Sequence, residues 1–521
     1  MEMVLWTAVK ECKQVRDALA VVCKRWSEVI ARSSLFWSTT CLSLSDIKVS
    51  LALAYPKRRQ TGLRRRILQW LRERSGLVRS LHLLECCRME ADLPALLQAL
   101  AAPTLRSLRL ESCSGQPERI LRALGPMRGL RCLEVDHARR LALGRQPGGY
   151  AVRMLSTLGC LEHLTLHVPR VEGDLGCLAM TLTGLKTLHV CTEQDYELRL
   201  DHISRLSALE EVTLTGAVLS ALPPSASLLT ALTALSLSET RCLDGGSGGG
   251  SEEGRQGGQR HAAPLLFWDT LCRLPALRAL SSRHCDMRGS NLSQGVLTVS
   301  SLRSLELSSY LLNLPELPVG ALADLTSLVF EGCHLLHFPP SWCCLPALHT
   351  LKFKSSPPDA LPADVTRLTS LRTLWLEGGV ARALLPCCAL TGLTSLRLAH
   401  LDFLAVLPSG PYLEGLKLLD LQGNRFLALP PSLSRCSALE ELDLSHNSRL
   451  QLDSVDVGEV LSRLPALRTL HLHKDSALCD MGGCPWDLRS VQALMALAAA
   501  RPSLNVCLDA SCQRAVTAGV Q

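Results

Sequence analysis

Apolar positions along this chain follow one phrase, Leu-x-x-Leu-x-Leu, that returns with conservative replacements from one end to the other. Clear copies start at Leu105, Leu130, Leu161, Leu185, Leu209, Leu232, Leu277, Leu302, Leu325, Leu348, Leu371, Leu393, Leu416, Leu439 and Leu467. A weaker copy at Val78 makes sixteen, and from Leu302 to Leu439 the starts fall 22 or 23 residues apart without a break. A fixed period of this length is the signature of stacked supersecondary units. The last two leucines of the phrase stand two residues apart, so both face one side of a short strand. The first turns into the same core from the preceding bend. One such coil cannot bury its own apolar edge, so stability has to come from stacking neighbours.

The remainder of each unit carries further signals. Where the chain leaves the strand, Asn424 and Asn447 supply side chains that satisfy backbone groups between coils, and Cys113 and Cys333 are small substitutes. In the carboxy-terminal half the return segment holds prolines, as in HFPPSW from His337, LPADV from Leu361 and LALPPSL from Leu427. Proline excludes a regular helix there and favours an extended or turn-like return. Earlier returns are longer, and Leu93–Ala101 and Arg119–Leu124 have helical character. The spacing of 45 residues between Leu232 and Leu277 contains DGGSGGGSEEGRQGGQR from Asp244, whose composition cannot repay its ordering entropy. Residues 244–262 are therefore expected to loop out of the array.

These units resemble the typical and plant intracellular classes of the leucine-rich-repeat family. The resemblance implies an α/β solenoid over 77–475, with a parallel sheet on the concave face and helices or turns on the convex side. A carboxy-terminal cap is expected over 476–521.

Ahead of the repeats, Ala18, Val21, Val22, Trp26, Val29 and Ile30 recur at helical spacing, and Leu35 and Trp37 anchor a second segment. Residues 1–46 are expected to form a small α-helical amino-terminal cap. The run Val22-Cys23-Lys24-Arg25-Trp26 followed by Ser34-Leu35-Phe36-Trp37 resembles the second half of an F-box. That resemblance implies docking on the Skp adaptor of a cullin-based ubiquitin ligase through Val22, Cys23, Trp26, Leu35 and Trp37, with the repeats capturing a protein substrate. The family's opening Leu-Pro pair and first helix are missing from residues 1–14. Two expectations follow: an incomplete product of a longer gene, or a degenerate module that only caps the repeats of a free-standing scaffold. Over 47–76, Leu63, Ile67, Trp70 and Leu71 form the apolar stripe of a helix whose arginines lie mainly outside it, reading as a basic linker.

Composition narrows the picture. Hydrophobic residues make up 47% of the chain but aromatics only 4%, which suits many thin leucine layers. A net charge of +7 is a weak bias. The basic concentration at Lys57–Arg66 lacks the interleaved aromatics of a nucleic-acid reader, so no nucleic-acid role is expected. Met1–Ala20 does not resemble a secretory signal, and no apolar run approaches the roughly 18–20 residues of a membrane span. The 23 cysteines are read as thiols of a reducing compartment, in the cytoplasm or nucleus.

The residues between the core leucines point out of the strand face. The middle column runs Lys352, Trp375, Arg397, Asp420, Asp443 and His471, flanked by Lys354 and Glu377. Trp and Arg dominate interface energetics, so Trp375 is the expected anchor for a partner. A second polar patch gathers Glu134, Asp136, His163, His167 and His189. Neither His446, His471 and His473 nor the Cys479/Cys484 and Cys507/Cys512 pairs have metal-module spacing, and the adjacent pairs Cys86–Cys87, Cys343–Cys344 and Cys387–Cys388 read as packing. No phosphate loop, nucleophile elbow or paired carboxylates in a pocket are visible. The sequence thus points to a binding protein without cofactor or metal, and not to an enzyme.

Overall fold

The computed structural model describes residues 39–43 and, with short interruptions, 79–242, 271–379, 389–473 and 488–508. The amino-terminal helical module with Val22, Cys23, Trp26, Leu35 and Trp37, the linker helix and the glycine-rich insertion lie outside the described residues. Two compact units divide between Ala276 and Leu277. Each is a stack of leucine-rich-repeat coils, with a parallel sheet on one side and short helices or turns on the other.

In the first unit the sheet strands are β1 (Thr39–Ser43), β2 (Ser80–Leu84), β3 (Ser107–Cys113), β4 (Cys132–His137), β5 (His163–His167), β6 (Thr187–Glu197), β7 (Glu211–Leu219) and β8 (Ala234–Ser238). All pair in parallel and in sequence order. Register places Leu81, Leu108, Leu133, Leu164, Leu188, Val212 and Leu235 side by side, and each is buried. The expected helical returns form as α1 (Leu93–Ala99) and α2 (Pro117–Leu124). Proline opens α2, where its missing N–H costs nothing. Ile120, Leu121 and Leu124 turn into the core while Arg119 and Arg122 stay outside.

Strands β6 and β7 are longer than the six-residue phrase predicts, and their register shifts between Cys191 and Tyr196. Gly216 permits this shift. Its φ is +74°, and a Cβ there would lie 1.9 Å from the Thr192 carbonyl oxygen. Only glycine combines that conformation with that approach.

The second unit holds β9 (Ala279–Arg283), β10 (Ser304–Leu307), β11 (Ser327–Glu331), β12 (Thr350–Lys354), β13 (Thr373–Glu377), β14 (Ser395–Ala399), β15 (Leu418–Asp420), β16 (Glu441–Asp443), β17 (Thr469–His471) and β18 (Asn505–Cys507). These too pair in parallel in sequence order. The proline-marked returns are single 3₁₀ turns at Pro340–Cys344, Ala363–Arg367, Pro411–Leu413 and Pro431–Arg435. A proline at or just before the start of such a turn loses nothing, because the first N–H groups have no partner within the turn. Within the segment expected as a carboxy-terminal cap, α3 (Leu488–Ala500) leads into β18, which adds a coil to the sheet. Arg501 ties that coil down by donating to the carbonyls of Leu461, Ser462 and Leu464.

Two devices hold neighbouring coils in register. First, paired N–H groups at most strand entries donate to one carbonyl of the preceding coil. Thr326 and Ser327 share the Arg303 carbonyl, and His349 and Thr350 share that of Thr326, at 2.8–3.0 Å. Second, the asparagines act as read from the sequence. Asn424 donates to the carbonyls of Leu398 (2.6 Å) and Leu421 (2.7 Å) and accepts from the Leu401 N–H (3.0 Å). Asn447 donates to Leu421 and Leu444, both at 2.9 Å. Cys333, the small substitute, donates weakly from Sγ to the Leu307 carbonyl at 3.3 Å.

An aromatic cluster thickens the core. Phe330 and Phe353 stack with centroids 5.1 Å apart, Phe338 meets both edge-on, and the buried Trp342 donates its indole N–H to the Pro315 carbonyl at 2.9 Å. Of the pair Cys343–Cys344, only Cys343 packs inside; Cys344 is exposed, because a one-residue step on a 3₁₀ turn moves the side chain off the buried face. Burial pushes the thiols of Cys343 and Cys436 up to about 12, so both are neutral packing groups.

Candidate functional site

Strand register fixes which side chains share the open face of the second unit. Lys352, Trp375, Arg397, Asp420, Asp443 and His471 are consecutive partners across β12–β17, so the expected column exists as one continuous row. The alternation along each strand explains why: Leu374 and Leu376 are buried, while Thr373, Trp375 and Glu377 are partly exposed.

Trp375 is the centre of a cationic clasp. The Arg397 guanidinium carbon lies 4.2 Å from its ring centroid, and the Lys352 and Lys354 ammonium nitrogens lie at 5.0 and 5.6 Å. All are within cation–π range. The indole N–H donates to Glu377 Oε2 at 2.8 Å, which fixes the ring's orientation. Two of the three cations are ion-paired in turn: Lys354 lies 3.6 Å from Glu331, and Arg397 Nε lies 3.0 Å from Asp420 Oδ2, a charge contact outside hydrogen-bond geometry. The result is a preorganised surface with an aromatic plate, its rotamer set before any partner arrives.

Asp420 differs from the open position its column suggests. It is only 8% exposed, with Oδ1 accepting the Gln422 N–H at 2.9 Å and the other oxygen facing Arg397. Burial raises its pKa, while the Gln422 N–H and then Arg397 pull it back. Asp420 therefore offsets the charge of Arg397 and presents little of itself. Asp443 Oδ1 accepts the Ser445 N–H at 2.8 Å, and His471 sits 3.7 Å from Glu441, its ring 6.2 Å from that of His473.

The second predicted patch forms on the first unit. Arg109 Nε is 3.3 Å from Glu134, and His167 Nε2 is 3.9 Å from the same carboxylate. The His167 and His189 rings meet edge-on at 5.5 Å. Burial lowers the pKa of His189, and His167 lowers it further, against Glu134 and Glu211. His163 instead pairs with Thr187 at 2.9 Å, and Asp136 accepts the Ser112 N–H at 3.2 Å. His82, which the sequence pattern did not single out, joins the patch through Glu111 at 2.9 Å. Among the described residues no group of three His, Cys, Asp or Glu side chains is placed to hold a metal ion, and no helix is long and apolar enough to cross a membrane.

No protein-family model matches the sequence, and no curated protein matches it either. Solved structures are similar in part. A leucine-rich-repeat protein of Leptospira interrogans aligns with a TM-score of 0.48 at 18% identity, over 84% of this chain and 97% of that one. An internalin of Listeria monocytogenes aligns at 0.39 and 15%, over 72% and 81%. A plant peptide hormone receptor, solved with its peptide, aligns at 0.36 and 15%, over 76% and 74%.

Proposed function

We propose that this chain binds a protein partner on the open strand face of its second unit, with Trp375 as the anchor. The observation that carries the reading is the clasp of Arg397, Lys352 and Lys354 on the partly exposed Trp375 ring, with Glu377 holding the ring in place and Asp420 offsetting the guanidinium charge. A rigid, partly desolvated Trp–Arg pair is the composition of an interface hot spot. A broad open sheet face suits a macromolecule and lacks the enclosure that catalysis uses.

The partner is a substrate in this reading, and the chain is the recognition subunit of a cullin-type ubiquitin ligase acting in the cytoplasm or nucleus. Its support is the Val22-Cys23-Lys24-Arg25-Trp26 and Ser34-Leu35-Phe36-Trp37 resemblance. The second reading is a free-standing intracellular scaffold whose amino-terminal segment only caps the repeats. Titration of the full chain with the purified Skp adaptor separates them. The ligase reading expects binding at micromolar concentration that Trp26→Ala abolishes. No binding by the intact chain sinks that reading and leaves the scaffold.

A further inference from the structure

Charge along the second unit is unevenly distributed, and the uneven part is the strand entries. The residue just ahead of the strand is basic at five of the ten strands, Arg278 at β9, Arg303 at β10, Arg372 at β13, Lys417 at β15 and Arg468 at β17, and all five are exposed. Lys417 and Arg468 both reach Glu440, at 3.5 and 4.0 Å. Among the described residues, Arg278, Arg303 and Arg372 have no carboxylate within ion-pair distance, and neither has Lys352 on the sheet face beside them. Every carboxylate on the open face of β9–β14 is already engaged: Glu306 with Arg283 at 3.0 Å, Glu331 with Lys354 at 3.6 Å, Glu377 with the Trp375 indole at 2.8 Å. Beyond β14 the strand-entry cations have carboxylate partners, and Glu441 and Asp443 stand on β16 beside them.

We infer that the β9–β14 half of this face takes an acidic peptide segment, extended across the strands, with its carboxylates on Arg278, Arg303, Lys352 and Arg372. The inference rests on the proposed binding face and names the chemistry of what lies there. Charge complementarity selects the occupant: four cations without a counter-ion on one half, against Lys417 and Arg468 on the other, which already share Glu440. The geometry also sets its length. Five strand steps of about 4.8 Å span about 24 Å, which an extended chain at about 3.4 Å per residue covers with about seven residues. Trp375 borders this track, so the segment ends on the aromatic plate.

The test is fluorescence anisotropy of the full-length chain with a labelled seven-residue oligoglutamate, its oligoglutamine counterpart and a single-stranded RNA of twenty nucleotides. The expected result is saturable oligoglutamate binding that weakens with salt and falls about tenfold or more in the triple variant R303E/K352E/R372E. Arg468→Glu, the same kind of position on the other half, leaves it unchanged. Circular dichroism melts confirm that the exposed replacements keep the fold. Oligoglutamate binding no better than oligoglutamine, equal loss in Arg468→Glu, or RNA displacing oligoglutamate from the same residues overturns the inference. Failure here is distinguishable from failure of the binding face. A partner lost on Trp375→Ala but retained by the triple variant leaves the face standing and removes only the acidic segment.

Discussion

Replacing Asn424 with alanine tests how neighbouring coils are locked together. Asn424 is 4% exposed and makes three hydrogen bonds that cross or close its turn. Truncation takes the partner from the Leu401 N–H and from the Leu398 carbonyl. The Leu421 carbonyl keeps the bond from Asn447 at 2.9 Å. Each buried group left without its partner costs about 1–3 kcal/mol, so the loss is about 2–6 kcal/mol. Asn424→Cys is a graded control, because Cys333 shows a thiol in the equivalent place donating to the preceding coil at 3.3 Å. It retains the weak donor and loses the acceptor, so about half of the alanine loss is expected. Urea denaturation followed by circular dichroism reads the stability, and hydrogen exchange at the Leu401 amide reads the local effect. A loss under about 1 kcal/mol in Asn424→Ala, or a cysteine variant as damaged as the alanine one, refutes the asparagine as a backbone clamp.

Gly216→Ala forces a methyl against the Thr192 carbonyl at a left-handed φ, and is expected to cost at least about 2 kcal/mol; a thermal melt matching the parent contradicts it. Ser282 occupies a core-leucine position, is fully buried, and its hydroxyl has no partner among the described residues. Ser282→Ala should therefore raise stability by about 1 kcal/mol, and a lower urea midpoint would count against that. Burial and then His167 hold the His189 pKa below the ordinary imidazole value of 6.5, so the unfolded chain binds its proton more readily. Its contribution is present above pH 6.5 and is lost as pH falls below it toward the folded pKa. His189→Gln should flatten the pH dependence of stability below pH 6.5; an unchanged profile would assign that dependence elsewhere.

The coil architecture is readable in the sequence because each leucine of the phrase is buried in every regular unit, so one period reports strand, bend and core together. Trp375 and its column were legible for the same reason: alternation along a strand and a 22- or 23-residue period fix who stands beside whom. Other features depend on geometry that a linear pattern does not carry. Asp420 has the sequence position of an open residue, yet the Gln422 N–H and Arg397 enclose it. The lengthening of β6 and β7 depends on Gly216 approaching the Thr192 carbonyl, a contact between coils. The strand-entry arginines read as ordinary solvated residues until ion-pair distances show which carboxylates are already engaged. Arg501 gives no sequence signal at all, since its three acceptors are backbone carbonyls from Leu461 to Leu464.

The measurement that bears most directly on the binding face is calorimetric titration with a partner identified by proximity labelling and then purified. Parent, Trp375→Ala and Arg397→Ala are compared, with Cys160→Ser, an exposed substitution on the first unit, as the control. The account predicts a loss of about 2 kcal/mol or more for Trp375→Ala, roughly a thirtyfold weaker Kd, a smaller loss for Arg397→Ala, and none for the control. Binding by Trp375→Ala at parental affinity would contradict it.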